Sequence, residues 1–336
     1  MKREQGNAVR FGAVLAGLAA ALCGMVALSV ATGPMPVSLR DIARALLGGG
    51  DDAGSRVVLL LRLPRALLGV LVGGALASSG AAFQALLRNP LADPYILGVS
   101  GGAAVGALTA TLFLSQNASF AVPPCAFAGA ALSALVVFLL ARKSKAATPE
   151  RLILMGVVVG AFLNAVIMLM VSLSPPGKIP GVLYWLMGDL GHGTNTRVMI
   201  LLPYVALGAL ALFLLARGLD LLLLGEEEAF HAGLDVERAK TMVYLVASLL
   251  AGSVVAVSGL IGFVGLIVPH AARTIVGSGH RRLLPAAFMM GGAFLVFSDL
   301  IARTVSPSGE LPVGAVTALA GAPFFLVLLR GGGKRS

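Results

Sequence analysis

The chain contains ten long runs of apolar residues that are almost free of charged side chains. A helix needs about 20 such residues to cross the roughly 30 Å hydrocarbon core of a bilayer. The runs lack the period-two alternation that is typical of an outer-membrane barrel. The sequence therefore predicts an all-α, polytopic membrane protein with ten transmembrane helices. The predicted spans are 11–31, 66–87, 96–114, 124–141, 152–173, 198–216, 241–257, 261–276, 283–303 and 311–329.

The stretch 241–276 decides the number of helices. As one helix it would be about 54 Å long, nearly twice the thickness of the hydrocarbon core. A break around Ser258–Gly259 and the glycines at 262 and 265 gives two helices. Ten helices place most of the Lys and Arg residues on one side of the membrane, whereas nine would divide them almost evenly. The positive-inside rule therefore predicts ten helices, with both termini in the cytoplasm of the cell.

Composition excludes several classes of function. The net charge of +10 is expected of basic cytoplasmic loops, so no nucleic-acid partner is predicted. Cys23 and Cys125 lie in apolar runs, which indicates neither a disulfide nor a metal site. The chain has no phosphate-binding loop of the GxxxxGK[ST] type and no catalytic motif. We therefore predict that this chain is not an enzyme, has no catalytic residues and binds no metal or cofactor.

Two connections are long enough to contact partners, although the chain 1–336 is predicted to form a single transmembrane domain. The outer loop, 33–65, includes a short amphipathic stretch from Ser38 to Leu47. The inner loop, 217–240, is expected to form a rigid projection with a turn at Gly225 and a second short helix ending near Lys240.

Five blocks of sequence, in order, resemble the permeases for iron chelates and cobalamin, the membrane subunits of type II ABC importers. The first block, residues 62–107, reads RLPRALLGVLVGGALASSGAAFQALLRNPLADPYILGVSGGAAVGA. The others are WLMGDL at 185–190, LGEEEAFHAGLDVERAK at 224–240, GLIGFVGLIVPHAAR at 259–273 and GELPVGAVTALAGAPFFLVLLR at 309–330. The resemblance covers nearly the whole chain beyond the first helix.

This resemblance implies a homodimer with the substrate path along its two-fold axis. Two separate ATPase subunits would bind ATP and Mg²⁺, and an external substrate-binding protein would deliver the cargo. The cargo would be a large metal chelate: a ferric siderophore, haem or cobalamin. No residue distinguishes among these chelates.

The resemblance also implies roles for residues at matching positions. Those expected to dock the binding protein are Arg62, Arg65 and Arg303. Those expected to close the cytoplasmic end of the path are Asn89, Leu91 and Thr148. Those expected to couple to the ATPase are Leu224, Gly225, Glu227, Ala232 and Gly233. Those expected at the path or the dimer interface are Gly156, Gly160 and Asn164.

An alternative is a secondary transporter or channel driven by an ion gradient. The scarcity of ionisable residues within the spans argues against it, because proton and ion relays use intramembrane Asp, Glu or His. Uptake without any ATPase would favour this alternative.

Overall fold

The computed structural model describes residues 2–33, 35–48, 52–114, 118–142, 148–305 and 309–332. Within these ranges the chain forms helices and connecting turns, with no β-strand. The all-α prediction is therefore confirmed. The helices are α1 Lys2–Ala31, α2 Leu39–Leu46, α3 Ala53–Val57, α4 Leu63–Leu86, α5 Val99–Phe113, α6 Ala118–Ala141, α7 Pro149–Ser172, α8 Ile179–Met187, α9 Asn195–Leu214, α10 Ala216–Leu224, α11 Glu226–His231, α12 Val236–Ser258, α13 Val264–Val276, α14 His280–Thr304 and α15 Val313–Gly332.

The apolar helices agree with the predicted spans. Within the described residues, seven helical stretches are long and apolar enough to cross a membrane, and three shorter apolar helices, Val99–Phe113, Val264–Val276 and Val313–Phe324, account for the remaining spans. The break inside 241–276 is also confirmed, because α12 ends at Ser258 and α13 begins at Val264. Gly259 and Phe263, which flank the break, both have left-handed backbones with φ of 68°.

The predicted outer loop contains more helix than expected. Its amphipathic stretch forms α2, which begins with a capping box: the Ser38 hydroxyl accepts from the Asp41 N–H, and the Asp41 carboxylate accepts from the Ser38 N–H. From Ala53 the chain is helical through a π-helical turn, Val58–Arg62, into α4. The second span therefore starts well before residue 66.

Helix α4 lies at the centre of the bundle. Every residue from Leu71 to Leu86 is buried, and α4 packs against α9, α12, α13 and α14. Two glycine contacts allow this close packing. A Cβ atom at Gly73 would lie 2.1 Å from the Gly291 carbonyl oxygen, and one at Gly80 would lie 1.9 Å from the Gly265 carbonyl oxygen.

Helix α7 is held more loosely within the chain. It packs mainly against α5, α6 and the short turn Pro94–Leu97. Much of its apolar surface, including Phe162, Met168 and Leu169, is exposed. This surface is available to lipid or to a second chain.

Candidate functional site

The RNPLADP loop (residues 88–94) follows the end of α4. Asn89 organises this loop, since its side-chain oxygen accepts from the Leu91 N–H at 2.9 Å and its backbone carbonyl accepts from the Ala92 N–H at 3.0 Å. Asn89 and Leu91 are both half-buried. Arg88, the first residue of the loop, has a left-handed backbone with φ of 48°.

Tyr95 ties this loop to the break between α12 and α13. Its hydroxyl donates to the Ile261 carbonyl at 3.0 Å and accepts from the Ile261 N–H at 2.9 Å. The Asp93 carboxylate accepts from the Tyr95 N–H at 2.9 Å and so caps the turn Pro94–Leu97. Burial raises the pKa of Asp93 from 3.8 to about 6, a shift that the Tyr95 N–H opposes.

Gln84 makes a second connection to the same region. Its amide donates to the Ala92 carbonyl at 3.4 Å and to the Leu266 carbonyl at 3.2 Å, while its side-chain oxygen accepts from Arg273 at 2.5 Å. No role for Gln84, Tyr95 or Arg273 is predicted from the sequence. The feature of the sequence that could have indicated these three residues is that each is a polar side chain within or beside an apolar run.

Thr148, the third predicted gate residue, is the N-cap of α7. Its hydroxyl accepts from the Arg151 N–H at 3.5 Å. The preceding segment, 143–147, lies outside the described residues. A role for Thr148 in closing the path stays a prediction.

The knob (residues 216–235) is formed by α10, a turn at Gly225, α11 and the turn that precedes α12. Gly225 and Gly233 have φ of 129° and 82°, which glycine adopts without the steric cost of a side chain. The side chains of Leu224 and Phe230 are 66% and 69% exposed. Of the residues predicted to contact the ATPase, Gly225 is half-buried; the exposed ones are Leu224, Glu227, Ala232 and Gly233.

The prediction that the second helix of this loop ends near Lys240 is wrong. Helix α11 ends at His231, and Asp235 starts α12 by accepting from the Arg238 N–H at 3.1 Å. Lys240 therefore belongs to the first turns of a long apolar helix and is 3% exposed. An N-cap Asp before an apolar run is a known helix-start signal, and here it lies within a charged stretch that resembles a loop.

Two sets of contacts attach the knob to the bundle. Arg88 Nε donates to the Leu222 carbonyl at 3.0 Å, and Arg88 Nη2 lies 3.6 Å from Glu226 Oε1. On the other side, Asp220 accepts from the His280 backbone N–H at 2.9 Å and contacts the His280 ring at 2.6 Å. The knob is thus held at the end of α4 and at the start of α14.

The arginine pocket lies at the other end of α4. It is a cavity of about 280 Å³ lined by all three predicted docking arginines and by Glu310. Arg65 pairs with Asp299 at 2.9 Å and with Glu310 at 2.7 Å. The sequence alone does not indicate that either carboxylate pairs with Arg65.

Two of these arginines hold the carboxyl end of α1. Arg62 donates to the carbonyls of Val30 and Ala31 at 2.9 and 3.1 Å, and Arg303 donates to the Ser29 hydroxyl at 2.8 Å. Both arginines are buried, at 5% and 7% exposure. Both therefore have a structural role within the chain, whereas docking of a binding protein stays a prediction.

The structure separates the three residues predicted for the path or the dimer interface. Gly156 is buried, and a Cβ atom there would lie 2.3 Å from the Ile96 carbonyl oxygen, so this glycine serves packing within one chain. A Cβ atom at Gly160 would meet nothing within 4 Å, and Asn164 is exposed. Of these three residues, Gly160 and Asn164 lie on the part of α7 that no other described segment of the chain covers.

These features define a class: a polytopic helical membrane protein whose central helix connects a pocket at one end with an exposed helical projection at the other. The FecCD transport family matches residues 18–331. The chain belongs to this family.

Relatives and solved structures agree with this assignment. The chain is 45% identical over 307 residues to the cobalamin import system permease protein BtuC of Halobacterium salinarum, covering 90% of this chain and 82% of that one. It is 39% identical to the hemin transport system permease protein HmuU of Yersinia pestis, covering 83% and 84%. A solved metal-chelate type ABC transporter in an inward-facing conformation superposes with a TM-score of 0.84 at 32% identity, covering 95% and 99%.

Proposed function

We propose that this chain is the membrane-spanning permease subunit of an ATP-driven ABC importer that carries a large metal chelate inward. One observation supports this most directly: a single buried helix, α4, connects the arginine pocket with the RNPLADP loop and the knob. Relatives named for cobalamin, hemin and Fe(3+)-citrate import support a metal chelate as the cargo.

The exposed knob would contact an ATPase subunit. Leu224 and Phe230 present apolar surface, and the acidic residues of α11 lie beside them. A rigid pair of short helices can transmit the closure of two ATPase subunits to the bundle. ATP and Mg²⁺ would be bound by those subunits, and this chain would make or break no covalent bond.

Two copies of this chain would surround the path. The exposed apolar face of α7, with Gly160 and Asn164, is the surface that we assign to the path or the dimer contact. The homodimer would then bring two knobs to one end, one for each of two ATPase subunits.

The arginine pocket would dock the substrate-binding protein. Three arginines face two carboxylates, so the pocket keeps an excess of positive charge for acidic groups on that protein. Charge complementarity of this kind fixes the register of docking and speeds the encounter more than it adds affinity.

The arrangement of the helix ends supports a cell-membrane topology with both termini cytoplasmic. Helix α1 ends at the arginine pocket, where Arg62 holds Ala31, so its amino end lies at the knob end of the bundle. Helix α15 begins just after Glu310 of the pocket and also runs toward the knob end. Placing the knob in the cytoplasm places both termini there.

The test is uptake into proteoliposomes that contain this chain together with its ATPase, with the binding protein added outside. We expect uptake of a ferric siderophore, hemin or cobalamin that requires both ATP and the ATPase. Omission of ATP is the matched control. Equal uptake without the ATPase, driven by an imposed ion gradient, would contradict the proposal and support the secondary-transporter alternative.

A further inference from the structure

Arg88 contacts both helices of the knob. Its Nε atom donates to the carbonyl of Leu222 in α10 at 3.0 Å, and its Nη2 atom lies 3.6 Å from the carboxylate of Glu226 in α11. These two partners lie on either side of the Gly225 turn. Arg88 therefore contacts both arms of the knob across the residue at which they are joined.

Glu226 joins a third element to this contact. Lys240 of α12 lies 2.8 Å from the same carboxylate oxygen that faces Arg88. The Lys240 side chain is 4% exposed and also pairs with Glu237 at 3.2 Å. The position of Glu226 is thus fixed from α12, so the Arg88 guanidinium has a rigid surface to contact.

The backbone at Arg88 has a conformation that is unfavourable for a residue with a side chain. A φ of 48° places Arg88 in the left-handed region, which glycine occupies more readily than any residue with a side chain. Strained positions of this kind occur at functional sites, where the rest of the structure holds them. Asn89, the next residue, organises the RNPLADP loop.

We propose that Arg88 is the positioning residue that makes the RNPLADP loop move together with the knob. This inference rests on the proposed function. It adds a physical connection between the knob, which would contact the ATPase, and the RNPLADP loop, which would close the path. A guanidinium can donate to a carbonyl from one nitrogen and face a carboxylate with another because its nitrogens form a planar fork, whereas an ammonium offers all its donors from one atom.

Of the two contacts that Arg88 makes with the knob, we expect the hydrogen bond to Leu222 to matter more than the ion pair with Glu226. We call these two contacts together the link. The Arg88 and Glu226 side chains are 36% and 35% exposed, so solvent screens their attraction. The directed hydrogen bond to the Leu222 carbonyl is less dependent on charge. We therefore expect Arg88→Lys to retain part of the pairing with Glu226 but to transmit motion poorly.

The experiment uses the full transporter with a reporter at the gate. Cys23 and Cys125 are replaced by Ser, and Leu91→Cys is labelled by a maleimide with ATPases either nucleotide-free or trapped with ATP. Without further substitution we expect the labelling rate to differ between the two states. Arg88→Gln should abolish that difference and lower chelate uptake per ATP hydrolysed at least tenfold.

Three further variants make the result specific. Glu226→Gln, which keeps the bond from Arg88 to Leu222, should lower uptake per ATP by a few-fold, and combining it with Arg88→Gln should add nothing. If Arg88→Gln does not fold, Arg88→Lys tests whether the planar guanidinium of Arg88 is required. Arg142→Gln, which neutralises an exposed arginine at the same end of the bundle, is the matched control and should retain normal coupling.

The outcomes separate the link from the proposed function. If Arg88→Gln, or Arg88→Lys in its place, keeps uptake per ATP within twofold and keeps the labelling difference, the link is overturned while the importer stands. If the transporter without these substitutions shows no ATP-dependent uptake, the proposed function is overturned and the link with it. Copurification of the ATPase with each variant shows that any loss is not a failure of assembly.

Discussion

Arg65 holds Asp299 through two nitrogen atoms: Nε lies 3.0 Å from both carboxylate oxygens and Nη2 lies 2.9 Å from Oδ1. The pair joins the start of α4 to the end of α14, which are 234 residues apart in the chain. The Asp299 side chain is 2% exposed and also lies 3.7 Å from Arg303 Nε. One buried carboxylate thus balances two arginines.

Replacing Asp299 by Asn should destabilise the protein by about 3–5 kcal/mol, because it leaves the buried Arg303 without its counter-charge and leaves Arg65 with Glu310 as its remaining ion-pair partner. The free energy of unfolding in detergent, from a denaturant titration, measures this. Glu310→Gln is the control, since the Glu310 side chain is 47% exposed and should contribute less than about 1 kcal/mol. Equal effects of the two substitutions would show that Asp299 does not hold the pocket together.

Gly80→Ala should disrupt the packing of α4 against α13. The added methyl group would lie 1.9 Å from a backbone oxygen that cannot move independently of its helix. Overpacking of this kind costs about 1–3 kcal/mol or more. Gly17→Ala, at a position with nothing within 4 Å, should be neutral or stabilising. The unfolding temperatures and yields of the two variants in detergent test this, and a Gly80→Ala protein as stable as the parent would contradict it.

Tyr95→Phe should release the RNPLADP loop from the break between α12 and α13. The Ile261 N–H and carbonyl would each lose a partner, at a cost of about 1–3 kcal/mol for each buried group left unsatisfied. Hydrogen exchange of residues 259–263 should accelerate. Tyr184→Phe is the control, because Tyr184 is exposed and its hydroxyl makes no hydrogen bond within the described residues. Unchanged exchange in Tyr95→Phe would rule out this anchor.

Asp93→Asn should stabilise the protein above pH 6. The raised pKa, about 6, means that the Asp93 contribution is fully favourable below its ordinary value of 3.8 and is lost as the pH rises through 6. An amide oxygen can still accept from the Tyr95 N–H and carries no charge. The stability difference should grow between pH 4 and 6 to about 1–3 kcal/mol and then stay constant. Unfolding temperatures of both proteins from pH 4.5 to 8 test this, and a pH-independent difference would refute it.

The sequence predicted those features that depend on local composition. The break after Ser258 followed from the length of an apolar run and from its glycines. By contrast, the contact of Arg65 with Asp299 joins positions that no periodicity relates. Lys240 was misplaced because the helix start at Asp235 lies inside a charged stretch.

Spacing along one helix also failed to show what a glycine contacts. Gly156 and Gly160 are four residues apart, yet one packs against Ile96 and the other meets no neighbour. Spacing can predict that two small residues lie on the same face of a helix, but the surroundings of each depend on where neighbouring segments end. The turn Pro94–Leu97 reaches Gly156 and not Gly160.

The glycine contacts at Gly73 and Gly80 have a mechanical consequence. Backbones in direct contact leave little room for one helix to move across another, so we expect α4, α13 and α14 to move as one block. We expect a displacement applied where Arg88 lies to be carried along α4 to Arg65 at its other end. Conformational change during each transport cycle would then occur mainly where other helices pack against that block. We expect α7, which has few neighbours, to move most relative to it.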